Sequence, residues 1–269
     1  MRINTNVNSM RTQEYMRQNQ DKMNTAMNRL SSGKRINSAA DDAAGLAIAT
    51  RMRAKEGGLN QGANNTQDGM SMLRTTDAAL GSVSNILLRM RDLATQSANG
   101  TNGDNDKASL QLEYKALSDE IDHIADKTNF NGKNLLTDDT TVIKIQLSDA
   151  SADKLDIKGI KAKAADLGIT KTIDAAGDAD VAITEIDAAI QTVADARAVY
   201  GSQLNRLDHN LNNVTSQSTN MAAAASQIED ADMAKEMSEM TKFKILNDAG
   251  ISMLSQANQT PQMVSKLLQ

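Results

Sequence analysis

The chain of 269 residues has no cysteine, no tryptophan, a single proline at position 261, two phenylalanines and three tyrosines. Without cysteine there are neither disulfides nor thiolate metal ligands, so stability outside a cell has to come from packing or assembly. One proline and 2% aromatics against 40% hydrophobic residues, mostly Ala, Leu, Ile and Met, argue against a compact β-sandwich. They point instead to long helices packed through small and aliphatic side chains. No run approaches the ~18 apolar residues of a membrane-spanning helix. A net charge of −5 and scattered aromatics offer neither a basic face nor a stacking platform for nucleic acid. The opening Met1-Arg2-Ile3-Asn4-Thr5-Asn6 lacks the apolar core and small-residue cleavage site of a general secretory signal, so if the protein leaves the cell another route carries it.

Catalytic chemistry is equally thin. The two histidines, His123 and His209, lie on charged or off-stripe helix positions and read as solvated side chains. There is no HExxH, and SSGKR at 31–35 lacks the upstream glycine and trailing Ser/Thr of a phosphate loop. Asp104-Asn105-Asp106 has no calcium-loop continuation, and Asp41-Asp42 reads as a helix start. No active site, cofactor or metal is expected.

What the sequence does have is helical periodicity. Ile183, Ile186, Ile190, Val193, Arg197, Tyr200, Leu204, Leu207, Leu211 and Val214 alternate steps of three and four, continuing through Ser218, Met221, Ala225 and Ile228. Such a stripe predicts one long helix in a coiled-coil-like bundle. Met72, Thr76, Ala79, Val83, Ile86, Met90 and Leu93 keep the same rhythm upstream, and Leu110, Leu117, Ile121 and Ile124 repeat it in a shorter helix after the turn NGTNGDND at 99–106. Residues 130–180 break the pattern. NFNGKNLL predicts a turn, TVIKIQL and DKLDIKG a small β-hairpin, and the Ala/Asp/Gly-rich stretch to Asp180 a surface segment.

The two ends form helices of opposite charge. Arg2, Arg11, Arg17, Lys22, Arg29, Lys34 and Arg35 face only Glu14 and Asp21 over residues 1–35, whereas acidic residues outnumber lysines over 229–269. Ile3, Val7 and Met10 at one end, and Met233, Met237, Met240, Phe243, Leu246, Gly250, Met253 and Ala257 at the other, show helical spacing. The resulting fold class is mainly α: a long coiled-coil-like helical rod with a small β-hairpin region, its termini paired as helices. The expected division is 1–43 plus 229–269 as an inner terminal domain, and 44–228 as the rod. Pro261 is expected to break the chain before a last short helix.

These residues are recognisable. MRINTNVNSM, LSSGKRINSAADDAAGLAIATRMRA at 30–54 and GMSMLRTTDAAL at 69–80, with IEDADMAKEM at 228–237 and ILNDAGISMLSQANQTPQMVSKLL at 245–268, resemble the two terminal signatures of bacterial flagellin. The resemblance covers nearly the whole chain and implies a short form without large outer domains. It implies a homopolymeric, extracellular filament subunit serving motility, with a hook–filament junction protein of the same superfamily as the alternative. Implied partners are the type III export apparatus and its chaperone, and the filament cap and junction proteins, with neither nucleic acid nor membrane among them.

Filament packing is expected at Ile3, Val7, Met10, Met237, Met240, Phe243, Leu246, Met253, Leu254, Met263, Val264, Leu267 and Leu268, since a lone helix pair cannot bury them. ILLRMRDLATQSANG and LQLEYKALSDEID also match the region that a flagellin-sensing Toll-like receptor contacts in the family, which places Arg89, Leu93, Gln96 and Glu113 in those roles. Leu88 departs from the family's usual polar residue, and Leu93's place on the stripe predicts partial burial; the alternative to a receptor role is that Arg89 and Asp92 form an i, i+3 surface pair and Leu93 is a core residue of the stripe.

Overall fold

The computed structural model describes residues 6–138, 142–174 and 178–267, with side chains through Gln259. The described elements are α1 (Val7–Ser32), α2 (Ala43–Ser97), α3 (Asp104–Lys127), β1 (Val142–Gln146), β2 (Lys154–Lys158), α4 (Asp178–Glu229) and α5 (Met233–Leu267). The fold is mainly α with one antiparallel hairpin, as expected. Two compact units are present, Met1–Lys55 with Thr219–Gln269, and Glu56–Ser218, so the division falls inside α2 and α4.

In the unit Glu56–Ser218 the core follows the heptad. On α4, Ile186, Val193, Tyr200, Leu207 and Val214 are all buried, each one heptad beyond the last. On α2 two such rows are buried: Leu59, Thr66, Leu73, Leu80, Leu87 and Ala94, and beside them Thr76, Val83, Met90 and Ser97. The periodicity reading identified the second row and missed the first, because a helix with partners on more than one side buries more than one stripe. α2 and α4 run antiparallel, tied by Ser218 to Asn60 at 2.6 Å, Arg197 to Asp77 at 2.8 Å and Arg91 to Asp187 at 2.6 Å. Arg197 lies on the α4 stripe but reaches solvent through that pairing.

The hairpin pairs Val142 with Lys158 and Ile145 with Leu155, and turns Ile145, Leu147, Leu155 and Ile157 into the core. Its backbone comes close to α2 where that helix has no side chain. A Cβ at Gly62 would lie 2.5 Å from the Leu147 carbonyl oxygen, and one at Gly69 would strike Ile145. Asn65, on the same face, donates to the Gln146 carbonyl at 3.2 Å. The expected turn after α3 closes through a Phe130–Lys133 bridge, with Asn131 and Gly132 both at positive φ.

The segment after the hairpin is not surface, contrary to the expectation from its composition. Ala162, Ala164, Leu167, Ile169 and Ile173 are buried. The segment lies along α3, where Asp122 accepts from Ala164 N at 2.8 Å and Gln111 accepts from Ile173 N at 2.7 Å. Ser97 at the end of α2 donates to the Ile173 carbonyl. Small apolar residues spaced among charges fill a groove between helices without producing a strong hydropathy signal.

In the unit Met1–Lys55 with Thr219–Gln269, α1 and α5 pack against each other. α1 is capped at its start by Asn6, whose side chain accepts from Ser9 N at 3.2 Å, and ends at Gly33, whose φ of 70° is the left-handed conformation that favours glycine. Asp42 accepts from Gly45 N at 2.9 Å at the start of α2, and Asp41 accepts from Asn37 N and Ser38 N, so the paired carboxylates are turn and helix-start groups. α5 does not break at Pro261. It continues to Leu267, which corrects the expected separate last helix.

Candidate assembly interface

The α1–α5 pair is antiparallel, and its contacts can be followed from one end to the other. At the inner end, Lys34 and Asp230 form a β-bridge, Arg35 N donates to the Glu229 carbonyl at 2.7 Å, and Ala231 N donates to the Gly33 carbonyl at 3.0 Å. The buried Glu229 side chain receives Lys34 Nζ and Arg53 Nε, each at 2.7 Å. Those two charge-assisted bonds, Lys34's first, hold its carboxyl below the usual value. Outward from there, Arg29 meets Glu236 at 3.3 Å, Lys22 lies 5.6 Å from the Phe243 ring centre, and Asn247 donates to Gln20 at 2.7 Å. A Cβ on Gly250 would lie 2.7 Å from Met16 Cγ, so the helices approach closely there. The sequence reading found only the overall attraction between the ends. The local signal for the Glu229 cluster was the meeting of two helix stops, Gly33-Lys34-Arg35 and Glu229-Asp230.

This pair holds very little core. Among the described residues α1 buries only Ala26, and the buried side chain on α5 is the charged Glu236. Val7 is 50% exposed, Met10 61%, Met237 55%, Leu246 41% and Met253 67%. Met240, Phe243 and Leu254 are half-buried. Tyr15 and Met253 border an open groove of about 300 Å³ between the two helices, floored by Met16 and Gly250. Ile3, Met263, Val264, Leu267 and Leu268 fall outside the residues whose side chains are described.

The four residues of the implied receptor surface divide. Arg89 Nε and Nη2 both reach Glu113 Oε1, at 2.9 and 2.7 Å, so α2 and α3 present a two-pronged ion pair that is about half exposed. Arg89 thus pairs across helices with Glu113 rather than along its own helix with Asp92. Gln96 is exposed, while Leu93 is 1% exposed and sits in the core. Its burial is full where the stripe predicted partial: Leu93 lies beside the Thr76–Ser97 row, next to the buried Met90 and Ala94. The exposed leucines here are Leu88 on α2 and Leu112 on α3. Both histidines are exposed, and among the described residues no group of acidic, histidine or cysteine side chains is arranged to hold a metal ion. Among those residues, too, no helix is long and apolar enough to cross a membrane.

Comparison with known proteins shows the family. The family model of the bacterial flagellin N-terminal helical region matches residues 3–141, and that of the C-terminal helical region matches residues 183–268. Flagellin of Listeria innocua is 47% identical over 285 residues, covering 100% of this chain and 99% of its own. Flagellin of Bacillus subtilis is 41% identical over 305 residues, with both chains covered in full. The crystal structure of Bacillus cereus flagellin is 60% identical and superposes with a TM-score of 0.52, covering 60% of this chain and 94% of its own. With both terminal regions matched and full-length relatives at this identity, the chain belongs to the bacterial flagellin family, and is a structural protein, not an enzyme, that self-assembles into the extracellular filament of the flagellum and serves motility.

Proposed function

We propose that the apolar face of the α1–α5 pair is the surface through which copies of this chain pack in the filament. The observation that carries this is the exposure of Val7, Met10, Met237, Leu246 and Met253 on two helices whose buried side chains, among the described residues, are Ala26 and Glu236. Fully burying such a side chain contributes about 1.5–3 kcal/mol, so each half-exposed one has roughly 1 kcal/mol still to gain from a neighbour. Ile3, Met263, Val264, Leu267 and Leu268 extend the same apolar character to both chain ends. Met240, Phe243 and Leu254 are half-buried in the subunit, with Phe243 beside Lys22 of α1, and contribute their remaining exposed surface.

Helices that complete their burial only in the polymer suit export of the unfolded chain through a narrow channel by the flagellar export apparatus, without a cleaved signal peptide. They also suit shielding by an export chaperone beforehand, and later contact with cap and junction proteins. The test is seeded polymerisation of the full chain, of a chain ending at Asn258 and of Met253→Asp, followed by sedimentation and electron microscopy. Filaments from the full chain alone are expected. Normal growth by both altered proteins would sink the assignment.

The Arg89–Glu113 pair supports a second role, recognition by a flagellin-sensing Toll-like receptor of an animal host. In that reading Arg89, Gln96 and Glu113 touch the receptor, and Leu93 acts from the core by holding α2 in place beneath them.

A further inference from the structure

A proline inside a helix removes the N–H that would serve the carbonyl four residues earlier, and usually ends or kinks the helix there. In α5 that carbonyl belongs to Ala257, and the helix nevertheless runs on to Leu267. The Ala257 carbonyl accepts a hydrogen bond of 2.8 Å from Asn6 Nδ2, 251 positions away in the chain. The other half of the same amide is also engaged, since Asn6 Oδ1 accepts from Ser9 N and caps α1. With an N–H donor on one side and a carbonyl on the other, the amide has one satisfactory orientation. The antiparallel register set by Gly250 against Met16 and Asn247 against Gln20 brings Asn6 opposite Ala257. Aspartate, an equally good cap, has no donor to offer the second helix.

We infer that Asn6 is a positioning residue for assembly: it carries α5 through Pro261, so that 258–267 extends the helix only while the first turn of α1 is formed beside it. The lone proline thereby makes the course of the C-terminal segment conditional on the N-terminal helix. Without Asn6 the Ala257 carbonyl is left without a partner in a half-buried place, and the chain has reason to turn there. This inference rests on the reading of the terminal pair as the packing surface of the filament.

The test is a cycle of four full-length proteins: unaltered, Asn6→Asp, Pro261→Ala, and both together. Asn6→Asp keeps the cap on Ser9, and replaces the donor to Ala257 by a charged acceptor. In the Pro261 background it should raise the critical concentration for growth on seeds about tenfold, the typical effect of an unmet half-buried acceptor. Amide exchange over 254–262 in pelleted filaments should speed by a similar factor. In the Pro261→Ala background both changes should shrink below about twofold, because the alanine N–H takes over the Ala257 carbonyl. Asn6→Gly, which costs a cap little and carries no charge, should reproduce the Asn6→Asp pattern. Equal losses in both backgrounds, or no loss in either, would overturn the inference. If Met253→Asp and the chain ending at Asn258 both grow like the unaltered protein, the packing assignment fails while the exchange cycle still decides the role of Asn6.

Discussion

Replacing Gly62 by alanine should destabilise the protein, although the same substitution at Gly57, earlier in the same helix, should stabilise it. Both glycines sit inside α2, where glycine is about 0.5–1 kcal/mol worse than alanine. Gly57 is exposed, and a Cβ there would meet nothing within 4 Å, so Gly57→Ala should recover most of that amount. Gly62 is buried under the hairpin, where a Cβ would lie 2.5 Å from the Leu147 carbonyl oxygen, 2.9 Å from its carbon and 3.0 Å from Ser148 Cα. All three are backbone atoms, so the whole β1 end has to move, and overpacking of this kind costs about 1–3 kcal/mol. The shift also strains the Asn65 bond to the Gln146 carbonyl, worth about 1 kcal/mol. After the propensity gain the net loss is about 1–3 kcal/mol, or about 2–4 °C of melting temperature per kcal/mol for a unit of this size. Thermal unfolding by circular dichroism, with amide exchange over 142–158 to localise the change, is the assay. If Gly62→Ala raised the melting temperature as Gly57→Ala does, the close backbone approach of hairpin to helix would be wrong.

Three further outcomes follow from the geometry. Glu229→Gln should lower the stability of the terminal unit by about 1–3 kcal/mol at neutral pH, measured by urea unfolding, since two cationic donors lose their charged acceptor. Because the folded carboxyl is held below its ordinary value of 4.5, its contribution is complete above that pH and is lost as pH falls through the lowered folded value. Unaltered protein should therefore lose stability on acidification in that window, and Glu229→Gln should lose less; parallel pH profiles would count against the cluster. Glu113→Ala should change subunit stability by less than about 1 kcal/mol, as expected for an exposed pair, while weakening binding to a flagellin-sensing receptor ectodomain. Leu93→Ala should instead cost about 2–5 kcal/mol of stability, as a fully buried leucine does, and a mere binding defect in a fully stable protein would place Leu93 on the surface.

The long helices were legible because their signal is repetitive. The α4 stripe returns every heptad from Ile186 to Val214, and few other structures could bury such a row. The hairpin was legible from the alternation of Ile143, Ile145 and Leu147. Residues 160–173 were misread because Ala162, Ala164 and Ile173 fill space between charged neighbours, so their burial depends on what lies across from them. Pro261 misled for a related reason. A local rule that proline ends helices supposes an unmet carbonyl, and the donor that meets it comes from Asn6, at the other end of the chain.

The sequence by itself determined the class of this protein. Its shortage of proline, aromatics and cysteine, its heptad rows and its two terminal signatures are local properties that each stretch carries whatever surrounds it. Only the tertiary structure decided which of those residues face water. Leu93 lies in the core while Met253 lies open, Arg89 turns to Glu113 on α3, and Lys34 and Arg53 converge on Glu229. Periodicity gives a side chain its direction around one helix, but burial and pairing depend on the neighbouring helix, which the fold brings from far away in the chain.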